Sequence, residues 1–234
     1  IYKEVPGIAA MLTGHDHSSV AKIVNGVPIA GPRNAGRDLC RIDLVLEKQN
    51  GKWKIIDRKV EVLEVAGHEI DAELAAKLDY AHQKTLSFIN EPVATATANF
   101  LPVYEFDHEY LPASLVMDTA LVNLINRVQM HYVPDAEISA TAVLFPDSNL
   151  RKGPIAYKHI FDVYRYPNSL CGVEISGKEL RNFIESSARF YNTWKPGDVT
   201  ISFSPTIRAY NYDMFMGVEY ELDVSKEPGS RLVK

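Results

Sequence analysis

Cysteine is nearly missing from this 234-residue chain: Cys40 and Cys171 are the only two. Two thiols exclude a disulfide framework or a thiolate metal cluster, leave open whether the pair bridges, and so tell nothing about the redox compartment. A long apolar run is missing as well. No stretch approaches the roughly 18 residues of a membrane-spanning helix, and the first residues lack the basic-then-apolar pattern of a secretory signal. There is no excess of positive charge, since 25 Lys and Arg stand against 30 Asp and Glu. A net charge of -5 argues against a nucleic-acid polymer as partner and toward small ligands or proteins. What is present is the composition of a folded chain, 46% hydrophobic and 24% charged, which excludes disordered, collagen-like and low-complexity classes.

The pattern changes along the chain. Ile8 to Leu12 is a short apolar run that predicts a buried strand ending in the loop Thr13-Gly14-His15-Asp16-His17. Val27 to Ala30, Leu39 to Leu46 (with Ile42, Leu44 and Leu46 on one face) and Trp53 to Ile56 continue as strands, with Asn50-Gly51 as a hairpin turn. Such a sheet is too small to be a complete domain, which predicts that the chain begins partway through one. From Ile70 to Ile89 apolar residues recur every three or four positions (Ile70, Leu74, Leu78, Ala81, Thr85), predicting an amphipathic helix with Asp71 and Glu73 in its first turn. A Thr/Ala stretch to Asn99 suits a linker, with a second domain from about residue 95.

In that second part, Ser114 to His131 predicts a helix ended by Pro134, Ile138 to Phe145 a strand, and Leu170 to Ile175 another. Ser176-Gly177-Lys178-Glu179 is a capping box ahead of the helical set Leu180, Phe183, Ile184 and Ala188. Val218, Tyr220 and Leu222 alternate as a strand, and the pattern restarts at Arg231 to Lys234 with no sequel, so the chain is expected to end short of its fold.

The sharpest chemical signal is Gly14-His15-Asp16-His17. Two imidazoles two residues apart at a strand end can both reach a metal, with the glycine letting the backbone turn closely; ring nitrogens suit zinc, manganese or iron, and carboxylates from elsewhere would complete the site. The plainer alternative is a solvated surface loop. His68, His82, His108, His131 and His159 are scattered and are expected to be structural or exposed.

These residues resemble a known family. Gly7-Ile8 through His17, with Asn25-Gly26-Val27-Pro28 and Gly36 to Leu46, resembles the end of a calcineurin-like metallophosphoesterase domain, in which a G-H-x-H loop supplies late ligands to a two-metal centre. Residues 96 to 234 resemble the C-terminal substrate domain of the 5'-nucleotidase family, through Tyr166-Pro167-Asn168-Ser169-Leu170, Glu174 to Leu180, and Asp223-Val224-Ser225-Lys226-Glu227-Pro228-Gly229-Ser230-Arg231. The resemblance implies an α+β (mixed α/β) chain. Residues 1–67 would be the last strands of a four-layer metallophosphoesterase sandwich, 68–94 a linker helix, and 95–234 a C-terminal substrate-binding domain.

By the same resemblance, the parent protein is a phosphoric ester hydrolase that uses two divalent metal ions, zinc, manganese or similar, with His15 and His17 each expected on one of them. Its substrate would be a nucleotide or nucleoside, and its place periplasmic, cell-wall or secreted. The family's other metal ligands match nothing in these residues, so the chain alone is expected to be inactive. Tyr166 falls where the family places the first aromatic of its base clamp, and Asn168 on a polar position of the same loop; a core aromatic in a turn is the plainer account of Tyr166.

Tyr210-Asn211-Tyr212-Asp213 resembles a run of the 2',3'-cyclic-nucleotide 2'-phosphodiesterase/3'-nucleotidase branch, which adds Tyr210 to the substrate candidates beside the alternative of packed aromatics at a strand edge. Arginines that 5'-nucleotidases carry before the first helix of this domain and in an Asn-Gly-Gly-x-Ile-Arg loop are missing from Pro112-Ala113-Ser114-Leu115 and from Ser139 to Leu144. The cyclic-nucleotide branch is therefore expected first, a 5'-nucleotidase or UDP-sugar hydrolase second, and a non-catalytic nucleoside-binding module third.

Overall fold

In the computed structural model, residues 4–102, 113–145 and 148–234 are described. Contacts divide the chain into two units, Ile1–Leu78 and Asp79–Lys234. Both lie within a mixed α/β architecture.

Unit 1 is built on local turn chemistry. Strands β2 (Val20–Val24) and β3 (Val27–Gly31) form an antiparallel hairpin closed by Asn25 and Gly26. Both turn residues have positive φ, 50° and 78°, the type I' geometry that matches strand twist. This second Asn-Gly turn was not anticipated, because β2 is a half-exposed edge strand without an alternating apolar face. β1 (Met11–Leu12) adds parallel to β3, so the buried run Pro28 to Gly31 is central in a sheet ordered β1-β3-β2. The strand expected to be buried before the histidines is only partly so: Met11 is half-buried and Leu12 is 75% exposed.

β4 (Asp38–Gln49) and β5 (Lys52–Glu64) pair antiparallel through the expected Asn50-Gly51 turn, again with positive φ at both residues. The register steps from Val45↔Asp57 to Leu46↔Ile55, leaving Ile56 as the extra residue of a bulge. At the base of this ribbon the Arg33 guanidinium grips the buried Asp38 carboxylate through two bonds of 2.6 and 2.8 Å and reaches Glu64 at 2.7 Å. Hydrogen bonding from Arg33 holds the Asp38 carboxyl below its usual range. The Cys40 thiol on β4 is pushed up by burial, and Cys171 is exposed; both are free.

Helix α1 (Ala72–Ile89) begins where Asp71 caps it, its carboxylate accepting from the Leu74 amide at 2.9 Å. None of its residues is buried, although its apolar periodicity is helical. The division between the units falls within this helix. The Thr/Ala stretch after it is not irregular: it forms β6 (Pro92–Ala96), paired antiparallel with β8 (Gly153–Ala156).

Unit 2 contains β7 (Ser139–Thr141) paired with β9 (Met214–Met216), and helices α2 (Ala120–Tyr132), α3 (Tyr157–Val163) and α4 (Gly177–Ala188). α2 starts six residues later than its periodicity suggests. Thr119, in an extended conformation, accepts from the Val122 amide and halts the helix, while Ala113–Leu115 forms a separate buried 3-10 turn whose Ser114 hydroxyl meets that of Thr119 at 3.1 Å. Adjacent residues of α2 serve two cores. Leu121 packs with Ala96, Leu150, Ile155 and Val163; Val122 packs with Leu115, Val143, Phe190, Tyr191, Tyr212 and Met214.

The capping box of α4 forms as expected. The Glu179 amide donates to the Ser176 hydroxyl at 3.3 Å and the Ser176 amide donates to the Glu179 carboxylate at 2.7 Å, which keeps that carboxyl below its usual range. Two expected strands do not form. Residues 170–175 are exposed and pair with nothing among the described residues, and Val218 to Leu222 reaches only a single bridge, Leu222↔Leu232. Alternation marks a face, but a ladder requires a partner strand to accept it.

Candidate functional site

The histidine loop is positioned by β3. The Thr13 amide donates to the Ala30 carbonyl at 2.7 Å, extending the parallel pairing by one residue, and its hydroxyl reaches the same carbonyl at 3.3 Å. Gly31 leaves room for this, since a Cβ there would lie 2.5 Å from the Thr13 hydroxyl. Beyond Thr13 the turn is made differently from the expectation. Gly14 has no left-handed φ and open space where a Cβ would go; the left-handed residues are His15 (φ 79°) and His17 (φ 58°) themselves.

Such a backbone costs a non-glycine residue on the order of 1–3 kcal/mol, and strain of this kind concentrates at functional sites. Asp16 stabilises the arrangement by accepting from the Ser18 amide at 3.3 Å. Both imidazoles are exposed. As a donor set, two imidazoles on a preformed loop fit a zinc- or manganese-type ion as part of its shell. Among the described residues no group of three or more His, Cys, Asp or Glu assembles a metal site, so His15 and His17 would need further ligands.

In unit 2, Tyr166 and Asn168 share one loop after α3. Its first residue, Tyr164, packs against the core of Leu121, Leu150 and Val163. The Asn168 amide donates to the Tyr166 carbonyl at 2.9 Å, closing a tight turn, and the Asn168 side-chain NH2 donates to the Tyr164 hydroxyl at 3.0 Å. Asn168 thus uses one of its two side-chain N–H donors to hold the loop, and its side-chain carbonyl has no hydrogen-bond donor among the described residues. The Tyr166 ring stays 51% exposed, with its face toward Phe145 at a centroid distance of 6.4 Å and an interplanar angle of 26°.

Tyr210 is 54% exposed on a separate 3-10 turn (Ala209–Asn211), and among the described residues no ring contact joins it to Tyr166. Its neighbour Tyr212 is a core residue, stacked on Phe190 at 5.2 Å and edge-on to Tyr191 at 5.1 Å. Packed aromatics therefore describe one half of the Tyr210–Asp213 run and an exposed ring the other. Burial raises the Tyr191, Tyr212 and Asp213 groups above their ordinary values. Of the scattered histidines, His159 is structural, its Nδ1 accepting from the Ala156 amide at 3.0 Å to cap α3. His108 and Pro112 lie outside the described residues.

The Asp223–Arg231 segment, met in the sequence as a motif, holds the fold together. Arg231 is fully buried; its guanidinium donates to the carbonyls of Ala188 (2.6 Å), Tyr191 (2.8 Å) and Lys226 (3.0 Å) and to the Thr193 hydroxyl (3.1 Å). Beside it, buried Glu185 accepts from the Leu232 amide at 2.7 Å. Sequence reasoning passed over Phe145 and Arg165. The signal available for Arg165 was its place next to Tyr166; for Phe145 there was none beyond its lying at the end of an apolar run.

The chain is thus mixed α/β, with an exposed histidine loop after a short strand in the first unit and an exposed aromatic on a core-anchored loop in the second. The model of the 5'-nucleotidase, C-terminal domain matches residues 93–234, and the chain belongs to that family. It is 29% identical to a 2',3'-cyclic-nucleotide 2'-phosphodiesterase/3'-nucleotidase of Yersinia enterocolitica over 95% of this chain and 40% of that protein. It is 27% identical to the trifunctional nucleotide phosphoesterase protein YfkN of Bacillus subtilis (strain 168), over 94% of this chain and 17% of that protein. These relatives are hydrolases of phosphate esters by name, and the chain spans two fifths or less of their length. In fold it is similar to a Staphylococcus aureus protein described as a 5'-nucleotidase, solved with alpha-ketoglutarate (TM-score 0.73, 22% identity, 97% of this chain and 42% of that one).

Proposed function

We propose that this chain is part of a metal-dependent nucleotide phosphohydrolase of the 2',3'-cyclic-nucleotide 2'-phosphodiesterase/3'-nucleotidase type. The observation that carries the reading is the half-exposed Tyr166 ring on a loop pinned by the Asn168–Tyr164 bond. A rigid, solvent-facing aromatic costs little to order and offers a stacking face worth about 1–3 kcal/mol per base. In this reading Tyr166 stacks the base, Asn168 offers its remaining side-chain carbonyl to the nucleoside, and Tyr210 contributes a further aromatic contact.

His15 and His17 would hold two divalent ions, zinc, manganese or similar, together with ligands not among the described residues. When bound, such ions activate a water and stabilise the leaving oxygen of the ester. Residues 1–67 then belong to the metal-bearing domain, 68–94 to a linker helix and 95–234 to the substrate domain, in a protein placed outside the cytoplasm. No helix of the described residues is long and apolar enough to cross a membrane. The substrate is a small nucleotide rather than a nucleic-acid polymer.

A 5'-nucleotidase or UDP-sugar hydrolase is the second reading, favoured by the family of the C-terminal domain and disfavoured by the lack of arginine in Ala113–Leu115 and in residues 139–144. Calorimetric titration of the chain with adenosine, 3'-AMP and 5'-AMP tests both. Base-dependent binding weakened at least fivefold by Tyr166→Ala, with 3'-AMP preferred, is the expected result. Preference for 5'-AMP would move the assignment to the second reading, and affinity unchanged by Tyr166→Ala would overturn the stacking role.

A further inference from the structure

Arg165 and Tyr166 are consecutive, and in an extended segment successive side chains point to opposite faces. Here both meet the same ring. Phe145 faces Tyr166 at 6.4 Å and carries the Arg165 guanidinium over it at 4.0 Å. The Phe145–Tyr166 spacing is wider than the other stacked pairs among the described residues, which lie at 4.7 Å (Phe88 with Tyr157, Phe190 with Phe203) and 5.2 Å (Phe190 with Tyr212). Phe145 thus acts less as a packing partner of Tyr166 than as a platform for the arginine.

An arginine laid on an aromatic ring is held by its π face, which leaves the in-plane N–H fork directed outward. That fork is little used within the described residues. Its one carboxylate neighbour among the described residues, Asp162, stands 4.0 Å away with both side chains about half exposed or more, a separation and setting in which an ion pair contributes little. A guanidinium held over an aromatic ring, with donors uncommitted among the described residues, beside an exposed aromatic is a geometry suited to a ligand that joins a planar ring to a phosphate.

We propose that Arg165 reads the phosphate of the nucleotide bound at Tyr166, with Phe145 as its positioning residue. The inference rests on the nucleotide-binding reading above and deepens it.

The test is a matched set of dissociation constants for adenosine and 3'-AMP, measured on the chain and on Arg165→Met, Arg165→Lys, Phe145→Leu and Tyr166→Ala, at low and moderate salt. Methionine keeps an apolar stem over Phe145 and removes only the charge and the fork. Expected is a preference of the chain for 3'-AMP over adenosine of about tenfold at low salt, shrinking as salt rises. Arg165→Met should erase that preference while leaving adenosine affinity within about twofold of the parent. Arg165→Lys should keep part of the preference, and Phe145→Leu should lower it without abolishing adenosine binding.

Equal weakening of both ligands by Arg165→Met would show that Arg165 only braces the loop and would overturn the proposal, as would an unchanged ratio or no binding of 3'-AMP. Adenosine affinity unaffected by Tyr166→Ala overturns the stacking reading alone, because the ratio lost in Arg165→Met is read independently of it.

Discussion

Replacing Arg231 is expected to unfold the second unit at markedly lower denaturant. The side chain is fully buried and bonds four acceptors, three of them backbone carbonyls. Its burial lowers the guanidinium's affinity for its proton, so part of its bonding energy is already spent on desolvation, with Glu227 and Glu185 offsetting some of it. In Arg231→Met the desolvation cost is recovered, but the Tyr191 carbonyl is stripped of its partner, while the Ala188 carbonyl keeps only the Tyr191 amide at 3.2 Å. A buried acceptor left unpaired costs about 1–3 kcal/mol, and each charge-assisted bond lost has a net worth of about 1.5–3 kcal/mol. After the recovered desolvation, the net loss is about 3 kcal/mol.

That is a large share of the 5–15 kcal/mol by which domains are stable. With an m-value of about 2 kcal/mol/M it moves the urea midpoint by about 1.5 M. The assay is urea unfolding followed by Trp194 fluorescence in a Trp53→Phe background, since the chain's two tryptophans are divided between the units. Trp194 adjoins Thr193, a direct partner of Arg231. Arg231→Lys should fall nearly as far, because one ammonium cannot span acceptors on two sides of a planar fork. A loss under about 1 kcal/mol in Arg231→Met would refute the claim that this residue ties the end of α4 to the Asp223–Arg231 loop.

Gly217→Ala should destabilise the second unit by more than about 2 kcal/mol, because φ is +94° and a Cβ would sit 2.1 Å from the Glu137 carbonyl oxygen; the same unfolding assay checks it. Ser176→Ala removes the acceptor of the Glu179 amide and should cost about 1 kcal/mol, with hydrogen exchange rising first at the N-terminal turn of α4. The Asp38 carboxyl lies below its unfolded-state value when folded, so its contribution is present above about pH 4 and is lost as pH falls through the lower folded value. Acid unfolding of the first unit, followed by Trp53, should therefore steepen below about pH 4 in the parent and flatten in Asp38→Asn; parallel acid limbs would count against the pairing with Arg33.

The features legible in the amino-acid order are those whose energy is settled within a few residues. Asn50-Gly51 states its own turn because both positions must adopt positive φ, and Ser176 to Glu179 states its own cap because donor and acceptor lie three residues apart. The helix over 72–89 follows from periodicity, and the family from motifs in order along the chain. Residue types also marked His15, His17, Tyr166, Asn168 and Tyr210 as candidates.

Long-range contacts settled the rest. Alternation at residues 170–175 and 218–222 could not become strand without a partner, whereas the unpatterned Thr/Ala stretch became β6 because β8 lies ready to pair with it. Left-handed backbone at His15 and His17, rather than at Gly14, follows from where β3 holds Thr13. The Arg231 staple joins residues 38 to 43 positions apart, and Phe145 meets Arg165 and Tyr166 from 20 and 21 positions away. Such contacts form only once the chain is folded, because the entropy of closing those loops is repaid by burial and hydrogen bonding that no local segment can supply.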